Sequence, residues 1–327
     1  MSSMREVLMM PVAHKLVHMC GRVKPGETVV IVTDYGMDPS IAKVIAQAAM
    51  AAGANPNIIT MPLNKHDSRE PAKAVAEAMK HADVLYTPVS VSITHTEAMK
   101  TANSLGARGV IMTDFDTDMM IRGGMEANFE EIAPECDAIA AILDKGSVME
   151  VTTELGTDLR MDIKGREGIS KTCIAGDNDF TPACDIEATV SPVEGSTEGV
   201  FVCDCSIPYL GIGAPDALVT GKVEKGMVTS LEGGEAARKV WASWQSMDDP
   251  MVFNFAELGI GLNPFCSATG RMLEDEGIRG TCHCGIGTSI TLGGQVKASC
   301  HYDFVMYKPT IRIDGTVIVK DGEVVCL

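Results

Sequence analysis

Residues 27–34 read ETVVIVTD and residues 42–52 read AKVIAQAAMAA. The first is a short run rich in β-branched residues behind the turn signal Lys24-Pro25-Gly26, and it predicts a strand. The second has dense alanine at helical spacing with Gly53 as a stop, and it predicts a helix. The pair repeats. Residues 57–61, 83–89 and 108–114 read as strands, and 70–80 and 94–105 as helices, the latter stopped by Gly106. Alternating βα units feed a parallel sheet, so an N-terminal Rossmann-like α/β domain is expected over residues 1–148. Asp34, Pro88 and Asp114 fall at strand C-termini, where open α/β sheets bind ligands. Neither GxxxxGK[ST] nor a GxGxxG after the first strand is present, which disfavours a nucleotide.

From Ser147 onward the pattern changes. Residues 149–154, 158–163, 188–191, 199–204 and 217–223 read as strands, with one good helix at 235–246. Residues 296–325 hold strand runs broken by Asp314-Gly315 and Asp321-Gly322, both hairpin signals. A mostly antiparallel α+β domain is expected over residues 149–327.

The chain has 327 residues, 44 Asp plus Glu against 27 Lys plus Arg, and a formal charge of −17. A hydrophobic fraction of 46% excludes a disordered chain. The acidic surplus argues against nucleic acid and against an anionic membrane surface, and points to small substrates or metal ions. No run of about 18 apolar residues is present, and the N-terminus lacks a signal-peptide pattern. Eleven cysteines, an odd count in a long chain, read as reduced thiols, so a cytoplasmic location is expected.

The chemistry-bearing residues concentrate in the second part. In His301-Tyr302-Asp303 a strand would project His301 and Asp303 from one face. Beside an apolar run these two need each other or a metal. Glu257 lies in FNFAELGIGLNP, where an enclosed carboxylate is unusual, though an edge position facing water would also explain it. His283 lies in GTCHCGIG, whose glycines allow close backbone approach; a hydrogen-bonded core histidine is the plainer alternative. Glu187, in CDIEATVSP, alone would read as a solvated charge. Cys203-x-Cys205 and Cys282-x-Cys284 fall short of the zinc spacing of about two to four residues and read as packing. His14 and His18, four apart on a helix-like segment, read as solvated or core residues rather than a ligand pair.

In order, ATVSPVEGSTEG, FAELGIGLNP, GTCHCGIG and SCHYDFVMYKPTIRIDG resemble the thermophilic-metalloprotease family of leucyl aminopeptidases, the aminopeptidase T type. VKPGETVVIVTD and GARGVIMTD resemble its first domain. The resemblance implies a metal-dependent hydrolase, a small-molecule or short-peptide substrate and a homodimer. It implies five metal ligands, Glu187, Glu257, His283, His301 and Asp303, around two ions of zinc, cobalt or manganese. One carboxylate, Asp303 or Glu257, would bridge the ions, and Glu187 would serve as general base. The family's tyrosine after the first histidine is missing from residues 288–292 (TSITL), with Tyr302 or Tyr307 as substitutes. The superfamily also resembles the 2,5-dihydroxypyridine ring-cleaving dioxygenases. These hold one Fe(II) through two histidines and a carboxylate, which His283, His301 and Asp303 would supply. Their first histidine follows a Gly-x-Gly-x-Asn stretch, and residues 263–267 (NPFCS) contain none. The retained glutamates make the hydrolase the main expectation and the dioxygenase the alternative.

Overall fold

The computed structural model describes residues 4–64, 69–94 and 96–326. The chain forms two compact units, Met1–Glu130 with Thr172–Cys184, and Glu131–Lys171 with Asp185–Leu327. The sequence reading placed one boundary at residue 148. The chain instead crosses between units at 130, 171 and 184.

The first unit is the expected parallel sheet. Thr28–Asp34 lies between Asn55–Met61 and Val84–Thr87, followed by Arg108–Ile111 and then Phe180–Pro182. All of these pairings are parallel. Helix Pro39–Ala51 starts on Asp38, whose side chain accepts from Ser40 N, with Pro39 in the first turn. It buries Ile41, Ala42, Val44, Ile45, Ala48 and Ala49, the spacing of one helical face. Glu97–Ser104 is capped the same way by Thr96. The fifth strand, Phe180–Pro182, was not anticipated. Three residues carry no period to read, and they arrive after the chain has already left this unit.

Two antiparallel sheets build the second unit. One has eight strands and ends in the hairpins expected at Asp314-Gly315 and Asp321-Gly322. The other has five, in the order His301–Tyr307, Thr281–Gly287, Phe255–Gly261, Glu187–Val190 and Ile169–Lys171. Strand periodicity splits His301–Tyr307 into two faces. Phe304, from one face, meets Phe201 of the eight-stranded sheet at 5.0 Å and Trp244 of helix Gly234–Ser246 at 5.9 Å. Packing of Phe304 into this aromatic core leaves the His301 and Asp303 face for chemistry. Helix Phe129–Lys145, with Pro134 inside it, was not anticipated either. Its proline and acidic first turns mask the helical period. Among the described residues no helix is long and apolar enough to cross a membrane.

Candidate metal centre

Every strand of the five-stranded sheet places a side chain in one row. Lys171 pairs with Glu187, and Glu187 with Gly261. Glu257 pairs with Gly285, which pairs in turn with Asp303. His283 pairs with Gly259, and His301 with Gly287. Cross-strand partners, and residues two apart on one strand, share a face. Lys171, Glu187, Thr189, Glu257, His283, His301 and Asp303 therefore converge from five strands.

Two glycines make room for the imidazoles. A Cβ on Gly259 would lie 2.2 Å from His283 Nε2, and one on Gly285 would lie 2.5 Å from His301 Nε2. The rings lie over the neighbouring strand where a side chain would otherwise stand. This is the close approach expected of the glycines in GTCHCGIG, and Gly259 of FAELGIGLNP allows the same.

The five expected ligands come together as two groups of three that share Glu257. Ligand atoms of Glu187, Glu257 and His283 lie within 4.8 Å of one another, and so do those of Glu257, His301 and Asp303. His283 Nε2 is 3.0 Å from Glu187 Oε2. His301 Nε2 is 3.1 Å from Glu257 Oε2 and 3.3 Å from Asp303 Oδ1. Among the described residues, the two buried oxygens Glu187 Oε2 and Asp303 Oδ1 have no partner in hydrogen-bonding geometry. Acceptors buried in this way are costly unless a cation or proton completes them. The alternative set His283, His301 and Asp303 is not one of the metal-competent groups among the described residues.

Outer partners fix these ligands. His301 Nδ1 lies 2.8 Å from the Thr288 carbonyl, which orients Nε2 toward the carboxylates. The Thr189 hydroxyl donates to Glu257 Oε1, and Tyr209 donates to Asp303 Oδ2 at 2.6 Å. Lys171 Nζ donates to Glu187 Oε1 and lies 3.9 Å from Glu257 Oε1.

Electrostatics follows from this crowding. Burial opposes charge on Glu257, but the Lys171 ammonium and His301 outweigh it and hold its pKa down to about 2. Asp303 is likewise driven below the carboxylate range, against burial, by His301. Burial disfavours charge on His283, but Glu187 overrides it and raises its pKa to about 9. His301 is raised against burial by Asp303 and Glu257. Glu276 and Asp185 go the other way. Burial, then the neighbouring Asp303 for one and Glu187 for the other, pushes both carboxyls up toward the protonated form.

Several members escaped the sequence reading. Lys171 sits on a three-residue strand, and only its register opposite Glu187 reveals it. Tyr209 comes from a Gly-rich segment upstream of His283, whereas a tyrosine was sought downstream. Of the suggested substitutes, Tyr302 pairs with Ser243 at 3.1 Å and Tyr307 is exposed. Cys203, Cys205, Cys282 and Cys284 are buried and join no metal-competent group among the described residues. His14 and His18 stack on each other at 5.7 Å.

Residues 9–326 match the family described as NicX, 2,5-dihydroxypyridine 5,6-dioxygenase. The chain belongs to this family. A 2,5-dihydroxypyridine 5,6-dioxygenase of Pseudomonas putida KT2440 is 27% identical over 146 residues, 41% of this chain and 41% of that relative. The aligned part thus spans less than half of the relative's length. The solved structure of a 2,5-dihydroxypyridine dioxygenase from the same organism superposes with a TM-score of 0.85, 18% identity and 98% coverage of both chains. Wild-type AmpT from Thermus thermophilus superposes with a TM-score of 0.70 and 13% identity, over 98% of this chain and 99% of that one. These two structural likenesses show a shared fold.

Family membership corrects the main functional expectation. The hydrolase, aminopeptidase and metalloprotease assignments are overturned by the match to the dioxygenase family, and the alternative moves forward. The general-base role expected of Glu187 belonged to the hydrolytic reading. The misdirection has a physical origin. The ligand residue types and their order are compatible with both chemistries, and the motifs bearing them report the shared fold rather than the reaction.

Proposed function

We propose that the chain is a non-haem, metal-dependent ring-cleaving dioxygenase acting on a dihydroxypyridine-like aromatic. Ferrous iron is the proposed ion, held by Glu257, His301 and Asp303. The observation that carries this reading is family membership across residues 9–326, joined to a trio of one imidazole and two buried carboxylates. Imidazole with carboxylate suits Fe(II) among first-row ions. The unsatisfied Asp303 Oδ1 and the clearing at Gly285 fit a cation at this place. Bound there, iron would supply the Lewis acidity and redox capacity that join an electron-rich ring to dioxygen.

The protein's own groups do the rest. Tyr209 occupies Asp303 Oδ2, and Thr189 occupies Glu257 Oε1, so Asp303 Oδ1 and Glu257 Oε2 remain directed at His301 Nε2. The Thr288 carbonyl accepts a hydrogen bond from His301 Nδ1–H and leaves Nε2 to face them. Glu276, hydrogen-bonded to Asp303 and favoured in its neutral form, holds a proton beside the site at its carboxyl oxygen. Ten buried cysteines suit the reducing, cytoplasmic setting that ferrous iron needs.

The test is oxygen uptake by protein loaded anaerobically with Fe(II), with 2,5-dihydroxypyridine as substrate. The proposal expects one dioxygen consumed per ring opened, and loss of both signals in Asp303→Ala. Oxygen uptake that is absent, or that survives in Asp303→Ala, contradicts it.

A further inference from the structure

The two metal-competent groups built from the five expected ligands are not equivalent. Lys171 hydrogen-bonds Glu187 Oε1 and lies 3.9 Å from Glu257 Oε1. Its ammonium therefore neutralises Glu187 Oε1 and faces Glu257 Oε1, two oxygens that an ion of the Glu187, Glu257 and His283 group could otherwise take. Among the described residues, it is the Lys171 end of the sheet that contributes an ammonium. Around His301 and Asp303 the neighbouring donors are hydroxyls, those of Thr189 and Tyr209. We infer that Lys171 is a built-in cation that fills the second metal position and limits the centre to one divalent ion. The inference rests on the single-ion reading proposed above.

Two further observations support it. The first is oxygen accounting on Glu257. A carboxylate shared by two ions offers one oxygen to each. Here Oε1 accepts from Thr189 and faces Lys171, while Oε2 faces His301. Only Oε2 is directed at a metal position. The second is charge. Glu187, Glu257 and Asp303 carry three negative charges, and Lys171 already supplies one positive charge among them without any metal ion. Two divalent ions together with Lys171 would leave an excess positive charge in a buried site, which is costly. Lysine is suited to the task, since its ammonium is a compact point charge on a long stem. Its place is fixed by register, because Lys171 pairs directly with Glu187 at the edge of the sheet. Of the proposed iron ligands Lys171 faces Glu257 alone, on Oε1 at 3.9 Å, so it is a positioning residue and not a catalytic one.

The test is metal stoichiometry. Wild type, Lys171→Met, Lys171→Arg and Asp303→Ala are titrated anaerobically with cobalt(II), and bound metal is counted by elemental analysis with circular dichroism as the check on folding. Wild type and Lys171→Arg are expected to saturate at one ion per chain. Lys171→Met is expected to take a second ion and to gain thermal stability from it, because the freed Glu187 needs a counter-charge. Saturation of wild type at two ions overturns the inference, whether or not Lys171→Met folds. So does a folded Lys171→Met that still binds one ion. Failure of the underlying reading looks different: wild type binds no ion, or Asp303→Ala retains it.

Discussion

The two halves of the ligand cluster hold nearly the same residue types and differ in what surrounds them. On one side Glu187 and His283 are fully buried and held by a lysine ammonium. On the other, His301 keeps partial exposure, and its carboxylate partners are steadied by hydroxyls. In the first half Lys171 already supplies a counter-charge. Each half keeps a buried oxygen without a hydrogen bond, Glu187 Oε2 and Asp303 Oδ1, but the second has no ammonium beside it among the described residues and is the incomplete one. A donor list read from sequence treats these halves as equals. Their neighbours decide which of them requires a metal ion.

The harshest way to break the comparison is to remove a ligand from the incomplete half. Asp303→Ala should lose bound metal and ring cleavage entirely, measured by elemental analysis and oxygen uptake. Gly285→Ala comes next. Its new Cβ would fall 2.5 Å from His301 Nε2, so the ring must move. Metal affinity should drop by about 100-fold or more, and overpacking should cost about 1–3 kcal/mol in denaturant unfolding. Tyr209→Phe removes only the donor to Asp303 Oδ2 and should weaken metal binding by about 10-fold, at the lower end for an outer partner. Calorimetric titration with Fe(II) or cobalt(II) checks both.

A pH series sharpens the same contrast. In the metal-free protein His283 has a pKa raised from 6.5 to about 9 by Glu187. A raised histidine contributes stability that is fully present below its unfolded value and is lost as pH rises through the folded one. Thermal melts of metal-free protein should therefore fall between pH 6.5 and 9. Apparent metal affinity should rise over the alkaline range, because the raised His301 must shed its proton to ligate. The smallest effect is the control: His14→Ala with His18→Ala should leave metal content unchanged, since these rings stack outside the cluster.

The legible parts of the molecule were those with long periods or paired signals. Thr28–Asp34 and Pro39–Ala51 showed their strand and helix character, and their alternation implied the parallel sheet. The i, i+2 spacing of His301 and Asp303 puts both on one face of strand His301–Tyr307. Lys171 and Phe180–Pro182 were hidden because strands of three residues have no period, and only register across the sheet gives them meaning. The reaction was hidden for a different cause. Glu187, Glu257, His283, His301 and Asp303 are the right donors for hydrolysis and for oxygen chemistry alike, so their identities decide neither.

The most direct measurement is anomalous diffraction at the iron edge from crystals loaded anaerobically with Fe(II). The account predicts a single peak within coordination distance of Glu257, His301 and Asp303, with Lys171 still on Glu187. A peak between Glu187 and His283 with Lys171 displaced, or two peaks sharing Glu257, would contradict it.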